Sequence, residues 1–289
     1  MQRSLDHLPQ NKQDTIRAIV QIIRDAVDVE LIVLFGSFAR GDYVEDAGKG
    51  FYSDVDVLVV VKNERLANRH TMWSQLRRQA RKVSGKAEVS LIVHSIDDIN
   101  QQLERGQYFF SDIIKEGILL HDAGRVALAK ERPSSPEERQ AYAQACFDGG
   151  LESANTFYDG FEFYLSTGKN KAAAFLLHQA AEVYYKTVLL VFTAYLPRKT
   201  HKLEELGKKC GDLHPAFRGV FPFAGSGPRS TAEERRRFEL LEAAYLDARY
   251  SMSYAISRED LDMLAAPVRE LRARTEQACR ERIASMAAS

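Results

Sequence analysis

Five residues in two short runs have the types and spacing to bind and activate a phosphate: Gly36, Ser37 and Arg40 in "GSFARG", then Asp54 and Asp56 in "SDVDVLV". On a strand, residues two apart share a face, so Asp54 and Asp56 project side by side while Val55 points the other way. Like charges held that close repel, and a divalent cation between them resolves the repulsion; Mg²⁺ fits best, with Mn²⁺ as the alternative. A strand that ends in Gly-Ser and turns into a helix offers backbone N–H groups to phosphate oxygens. Gly36 allows close approach, Ser37 can donate its hydroxyl, Arg40 adds charge, and Ser53, beside the first aspartate, is a further nucleotide-binding candidate. A phosphate cradle with paired carboxylates is apparatus for nucleotidyl transfer: an acceptor hydroxyl attacks the α-phosphoryl group of ATP or another NTP and pyrophosphate leaves.

These residues need a rigid frame, and the flanking pattern predicts one. "KQDTIRAIVQIIRDAV" has apolar residues at helical spacing, "LIVLFG" and "VDVLVVVK" read as short buried strands, Arg65 to Val83 as a basic amphipathic helix stopped by Ser84-Gly85, and "AEVSLIVHS" as a third strand. Helices alternating with strands from residue 13 to about 122 predict one mixed sheet with helices packed on it. "ERPSSPEER" then has the composition of a linker. Beyond it only helices are expected, at about 136–166, 170–196, 201–210, 231–256 and 258–284, with Ser257 and Asp260 forming a capping-box-like start to the last. The domains expected are 1–125, a linker at 126–136, and 137–289.

Composition narrows the function classes. Lys+Arg equals Asp+Glu at 40 each, which argues against a dedicated duplex nucleic-acid binder. Cys146, Cys210 and Cys279 lie far apart and support neither a zinc knuckle nor a disulfide framework. "MQRSLDHLPQNKQD" lacks the apolar run of a signal peptide. His178, Glu182 and Lys186 recur at i, i+4, i+8 and break the apolar run from Ala172 to Leu196, so no membrane span is expected there and a cytoplasmic location is the default. That polar stripe reads as a solvated or interface face with an i, i+4 ion pair. Thr200-His201 reads as a helix N-cap, and Tyr184, Tyr185, Phe192 and Tyr195 as core or dimer packing.

"GSFARG" followed by "SDVDVLV" resembles the signature of the DNA polymerase β-like nucleotidyltransferase superfamily. "AAFLLHQAAEVYYKTVLLVFTAYLPRKTHKLEELGKKC" with "YLDARYSMSYAIS" resembles the HEPN helical bundle found fused to, or encoded beside, such enzymes. The resemblances imply an α+β fold, a mixed α/β N-terminal nucleotidyltransferase domain joined to a C-terminal all-α HEPN bundle. The segment between Ser37 and Asp54, with "VEDAGKGFY" in it, is longer than compact versions of the motif and reads as a substrate-side loop. The superfamily also implies a third carboxylate on the neighbouring strand, serving the metal or acting as base. Here "KAEVSLIVHS" offers Glu88, while the most natural register puts Ser90 in the acidic place.

In the ribonuclease branch of HEPN domains an Arg is followed one or two helical turns later by a His. Arg249 could be that Arg, but Tyr254 stands where the His could be, and the last His of the chain is His214. With no imidazole near Arg249 the bundle is expected to bind, dimerise or regulate rather than cleave RNA. The HEPN candidates are therefore His178, Glu182, Lys186, Arg249 and Tyr254. The function expected is Mg²⁺-dependent transfer of a nucleoside monophosphate, AMP from ATP, to a hydroxyl of a protein or small molecule, by a homodimer. The alternatives are an aminoglycoside-type adenylyltransferase and a nucleotide-binding regulatory or toxin-neutralising module without turnover.

Overall fold

The computed structural model describes residues 1–46, 51–196, 200–221 and 231–286. The expected substrate-side loop falls partly outside them, as do the proline-containing turn before Thr200 and most of the Gly- and Pro-rich stretch before Thr231. The chain divides into two compact units, one of Met1–Glu45 with Tyr52–Ser134 and one built on Ser135–Ser289.

The first unit runs α1 (Gln10–Ala26), β1 (Leu31–Phe35), α2 (Gly36–Arg40), β2 (Glu45–Asp46), β3 (Phe51–Tyr52), β4 (Val55–Val61), α3 (Glu64–Ala67), α4 (His70–Val83), β5 (Val89–Ser95), α5 (Ile96–Glu104), α6 (Tyr108–Glu116) and β6 (Ile118–Asp122). Its four-stranded sheet has the order β5-β4-β1-β6, with β1 antiparallel to both neighbours and β4 parallel to β5. Strand alternation sorts the side chains. Val55, Val57, Val59 and Val61 of β4 share one core with Ile32 and Leu34 of β1, Val89 and Leu91 of β5, Ile16, Ile19 and Ile23 of α1, and Trp73, Leu76 and Ala80 of α4. Each fully buried aliphatic side chain there stabilises the unit by roughly 1.5–3 kcal/mol. The residues of opposite parity, Asp54 and Asp56 among them, are turned to the other face. The single helix expected over 65–83 is two: α3, capped by the Asn63 side chain, ends at Ala67, and α4 starts at His70.

The second unit is helical: α7 (Pro136–Ser166), α8 (Asn170–Thr193), α9 (Leu203–Leu213), a 3₁₀ turn at Pro215–Phe217, α10 (Ala232–Ala243), α11 (Asp247–Tyr250) and α12 (Arg258–Met286). Its core is built around Tyr184 and Tyr185, both fully buried, with Phe161, Leu177, Phe217, Leu261 and Leu271. The capping box predicted at Ser257 forms: Asp260 N–H donates to Ser257 Oγ at 3.0 Å, and Ser257 N–H to Asp260 Oδ2 at 3.3 Å. The helix expected over 231–256 does not persist. It stops at Ala243, resumes for one turn at α11 and leaves 251–257 non-helical. No described helix is long and apolar enough to cross a membrane.

Candidate functional site

The geometry around β1 and β4 begins with register. Phe35 lies opposite Asp56 in the antiparallel β1–β4 pair, so the residue after Phe35 leaves the sheet over that carboxylate. Gly36 does so at φ +73°, and a Cβ there would stand 2.8 Å from Asp56 Oδ2. Only glycine combines that backbone with that approach. Ser37 follows, buried, with its carbonyl accepting from the Gly41 and Asp42 amides at 2.9 and 3.1 Å. Its hydroxyl Oγ is buried with no hydrogen-bond partner. A buried hydroxyl without a partner is costly and points to a group the site is built to receive. Arg40 is half-exposed, its Nε 3.2 Å from Asp42 Oδ2.

On the other side of the site, Ser53 and Val44 are tied twice, Ser53 N–H donating to Val44 O at 2.9 Å and Val44 N–H to Ser53 Oγ at 3.0 Å. Ser53 thus pins the chain just ahead of Asp54, which is 7% exposed. Asp56 is half-buried. The structure brings together Gly36, Ser37 and Asp56, with Asp54 one pleat along on the same face.

The parallel β4–β5 register pairs Asp56 with Ser90. Glu88 precedes β5, where its carbonyl accepts from Val55 N–H at 2.8 Å, while its carboxylate is 2.7 Å from Arg81 Nε of α4. Among the described residues no three His, Cys, Asp or Glu side chains gather as a metal-binding group. The Glu88 carboxylate is thus paired with the Arg81 guanidinium, and the place opposite Asp56 belongs to Ser90. The carboxylates of Asp54 and Asp56 are hard oxygen donors, a pair that fits Mg²⁺ or Mn²⁺ completed by substrate oxygens and water.

The second unit departs further from expectation. His178 and Glu182 are not on a solvated stripe; they are 0% and 4% exposed. Glu182 is the hub of a cluster: Lys186 Nζ lies 2.5 Å and His201 Nδ1 3.0 Å from its Oε1, and Gln179 Nε2 donates to Oε2 at 2.9 Å. Burial pushes the Glu182 carboxyl up, but the bonds from Lys186 and His201 outweigh it and hold the group below its ordinary value. Burial drives the His178 imidazole down to about 4, with Glu182 pulling the other way from 3.7 Å.

His201 is not the N-cap of α9. Lys202 holds that position, and the Leu203 amide is satisfied by the Glu242 carboxylate of α10 at 2.9 Å. The His201 ring instead stacks on Tyr245 at 4.0 Å and 14°. Arg249 donates to the Tyr245 carbonyl at 2.8 Å, and its guanidinium lies over the rings of Tyr245, Phe175 and Tyr250 at 4.8, 4.8 and 5.0 Å. Tyr245, whose ring the Arg249 guanidinium covers, also stacks with His201 and has the His178 ring at 5.5 Å. Tyr254 is elsewhere, buried, donating to the Leu240 carbonyl at 2.9 Å, with burial raising its phenol. Tyr245 and Glu242 escaped the sequence reading, and His201 was read only as a cap, because they meet the cluster and Leu203 through tertiary packing that no local spacing marks.

The fold and site define a nucleotidyltransferase-like α+β domain joined to an all-α domain. Comparison with known families agrees: residues 17–125 match the model described as Polymerase beta, Nucleotidyltransferase, and residues 150–278 match the HEPN domain. The chain is a fused nucleotidyltransferase–HEPN protein. No curated protein matches it.

Proposed function

We propose that the first domain is a Mg²⁺- or Mn²⁺-dependent nucleotidyltransferase that moves a nucleoside monophosphate, AMP from ATP, to a hydroxyl on a protein or small molecule. The observation that carries this reading is the seating of Gly36 against the Asp56 carboxylate beside the buried, unbonded Ser37 hydroxyl. Asp54 and Asp56 would hold the ion, which supplies charge neutralisation and Lewis-acid polarisation when bound. Gly36 lets a phosphate approach the backbone, Ser37 Oγ donates to a phosphate oxygen, and Arg40 offers positive charge at the rim. Ser53 acts through Asp54 by fixing the chain before it.

A second reading has its own observation. With Ser90 opposite Asp56 and Glu88 held by Arg81, the acceptor hydroxyl has no carboxylate base from β5, which favours a module that binds nucleotide and turns it over slowly or not at all. Incubation with α-labelled ATP and Mg²⁺ separates the two. Label on an acceptor with stoichiometric pyrophosphate release supports transfer. Saturable binding without pyrophosphate supports the regulator, and neither would sink both. We place the domains at 1–125 and 137–289 with a linker between, and the protein in the cytoplasm as a homodimer, which sedimentation at micromolar concentration would test.

A further inference from the structure

The helical domain contains a cavity of about 440 Å³ that borders the Glu182 cluster, within the roughly 300–1,000 Å³ range of small-molecule sites. His201, Tyr245, Phe238 and Glu242 form part of its wall. We propose that this cavity binds a small organic ammonium ion, its N–H groups held by His201 and Glu242 and its hydrocarbon body by Tyr245 and Phe238. The proposal does not depend on the transfer reading of the first domain.

Three observations converge on that ligand class. First, a carboxylate accepts and cannot donate, so the buried Glu182 fixes the hydrogen of the neutral His201 ring on Nδ1 and leaves Nε2 as its acceptor. Second, the ring is held in that orientation by the Glu182 bond and by its flat stack on Tyr245, whose carbonyl accepts from Arg249. The acceptor is thus preorganised before any ligand arrives.

Third, Glu242 gains from a cation. Burial pushes its carboxyl up to about 7, although the Leu203 and Glu204 amides pull it down and the charge of Glu204 adds to the rise. Glu239 and Asp247 face the same cavity, as do the cations Lys202 and Arg235. Lys202 reaches out to Glu205 at 3.6 Å, and Glu204 is bound by Lys208 at 2.8 Å. The wall carries four carboxylates, Glu204, Glu239, Glu242 and Asp247, against two cations, Lys202 and Arg235, so an amine meets complementary charge there and an anion meets repulsion.

Calorimetry on the full chain at pH 7, in two buffers of different ionisation enthalpy, tests the proposal with phenethylammonium as probe and 2-phenylethanol and phenylacetate as its neutral and anionic counterparts. The ammonium should bind saturably, with Kd about 1 mM or tighter, and release about half a proton as Glu242 ionises. The alcohol and the anion should not saturate. Glu242→Gln, which keeps an oxygen for the Leu203 amide, should abolish the proton release and weaken binding at least about tenfold; His201→Gln should weaken it similarly and leave the release in place. In the wild-type protein, free of any folding concern, the ¹⁵N signal of His201 Nε2 should shift along the same saturation curve. No saturation by about 10 mM, equal binding of the alcohol, or an unmoved Nε2 signal would overturn the assignment.

Discussion

Gly36→Ala should damage the nucleotide site more than it damages the fold, and the structure supplies its own control. At φ +73° an alanine must adopt the left-handed region, at about 1–2 kcal/mol, which lowers the melting temperature of a domain this size by roughly 3–8 °C. Gly85 has nearly the same backbone, φ +71°, but a Cβ there meets nothing within 4 Å. Gly85→Ala should therefore cost a similar amount of stability and nothing else. At Gly36 the new Cβ also lands 2.8 Å from Asp56 Oδ2, so the carboxylate must retreat by about half an ångström or more to reach an ordinary contact. A displacement of that order at a positioned group costs about tenfold to a hundredfold. Thermal melts of both variants, with Mg²⁺-dependent ATP binding and pyrophosphate release, separate the two effects. If Gly36→Ala binds and transfers as well as Gly85→Ala, the carboxylate is not where the chemistry happens and the reasoning fails.

Asp54→Asn with Asp56→Asn should abolish Mg²⁺-dependent nucleotide binding while melting near wild type, as both lie off the valine core; retained binding by calorimetry would count against the metal role. Ser90→Asp, which puts a carboxylate opposite Asp56, should speed pyrophosphate release, while Glu88→Gln should leave it unchanged; the reverse ranking in a turnover assay would restore Glu88. In the helical domain two pH slopes oppose one another. His178, depressed from 6.5 to about 4, adds stability that is lost as pH falls across that interval, and Glu242, raised from 4.5 to about 7, adds stability that is lost as pH rises across its own. Denaturant melts between pH 4.5 and 6.5 should be nearly flat in wild type, tilt toward greater stability at high pH in Glu242→Gln and toward low pH in His178→Gln, by at most about 1.4 kcal/mol per pH unit; parallel curves would refute the pair. Leu177→Ala, in the fully buried core, should cost about 2–5 kcal/mol by the same melts.

The parts of the site that were legible in sequence are those that a single strand or turn determines. Alternation along β4 is a local property, so placing Asp54 and Asp56 on the face opposite Val55 needed no partner. Choosing between Glu88 and Ser90 required the β4–β5 register and the knowledge that Arg81 reaches Glu88 from α4, both of them tertiary. The stripe His178, Glu182, Lys186 was visible, but its polarity suggested water. What buries it arrives from α10–α11 and from the segment before α9, and buried charge with good partners has no periodic signature. The strand β6 was missed for a similar reason: its short run Ile118–Asp122 follows a helix of comparable hydropathy and becomes a strand only by pairing with β1.

The valine run of β4 also works as a ratchet. Because Val55, Val57, Val59 and Val61 all enter one core, β4 settles against β1 in steps of two residues, and a slip by one would turn the carboxylates into that core and carry the valines to the opposite face. The placement of Asp56 beneath Gly36 is therefore set by the strands and owes little to the length of the connection from Gly41 to Ser53. Insertions and deletions there should be tolerated in functional chains, and a single-residue insertion between Asp56 and Val61 should not; a library varying both segments would show depth of tolerance falling abruptly at the first residue of the strand.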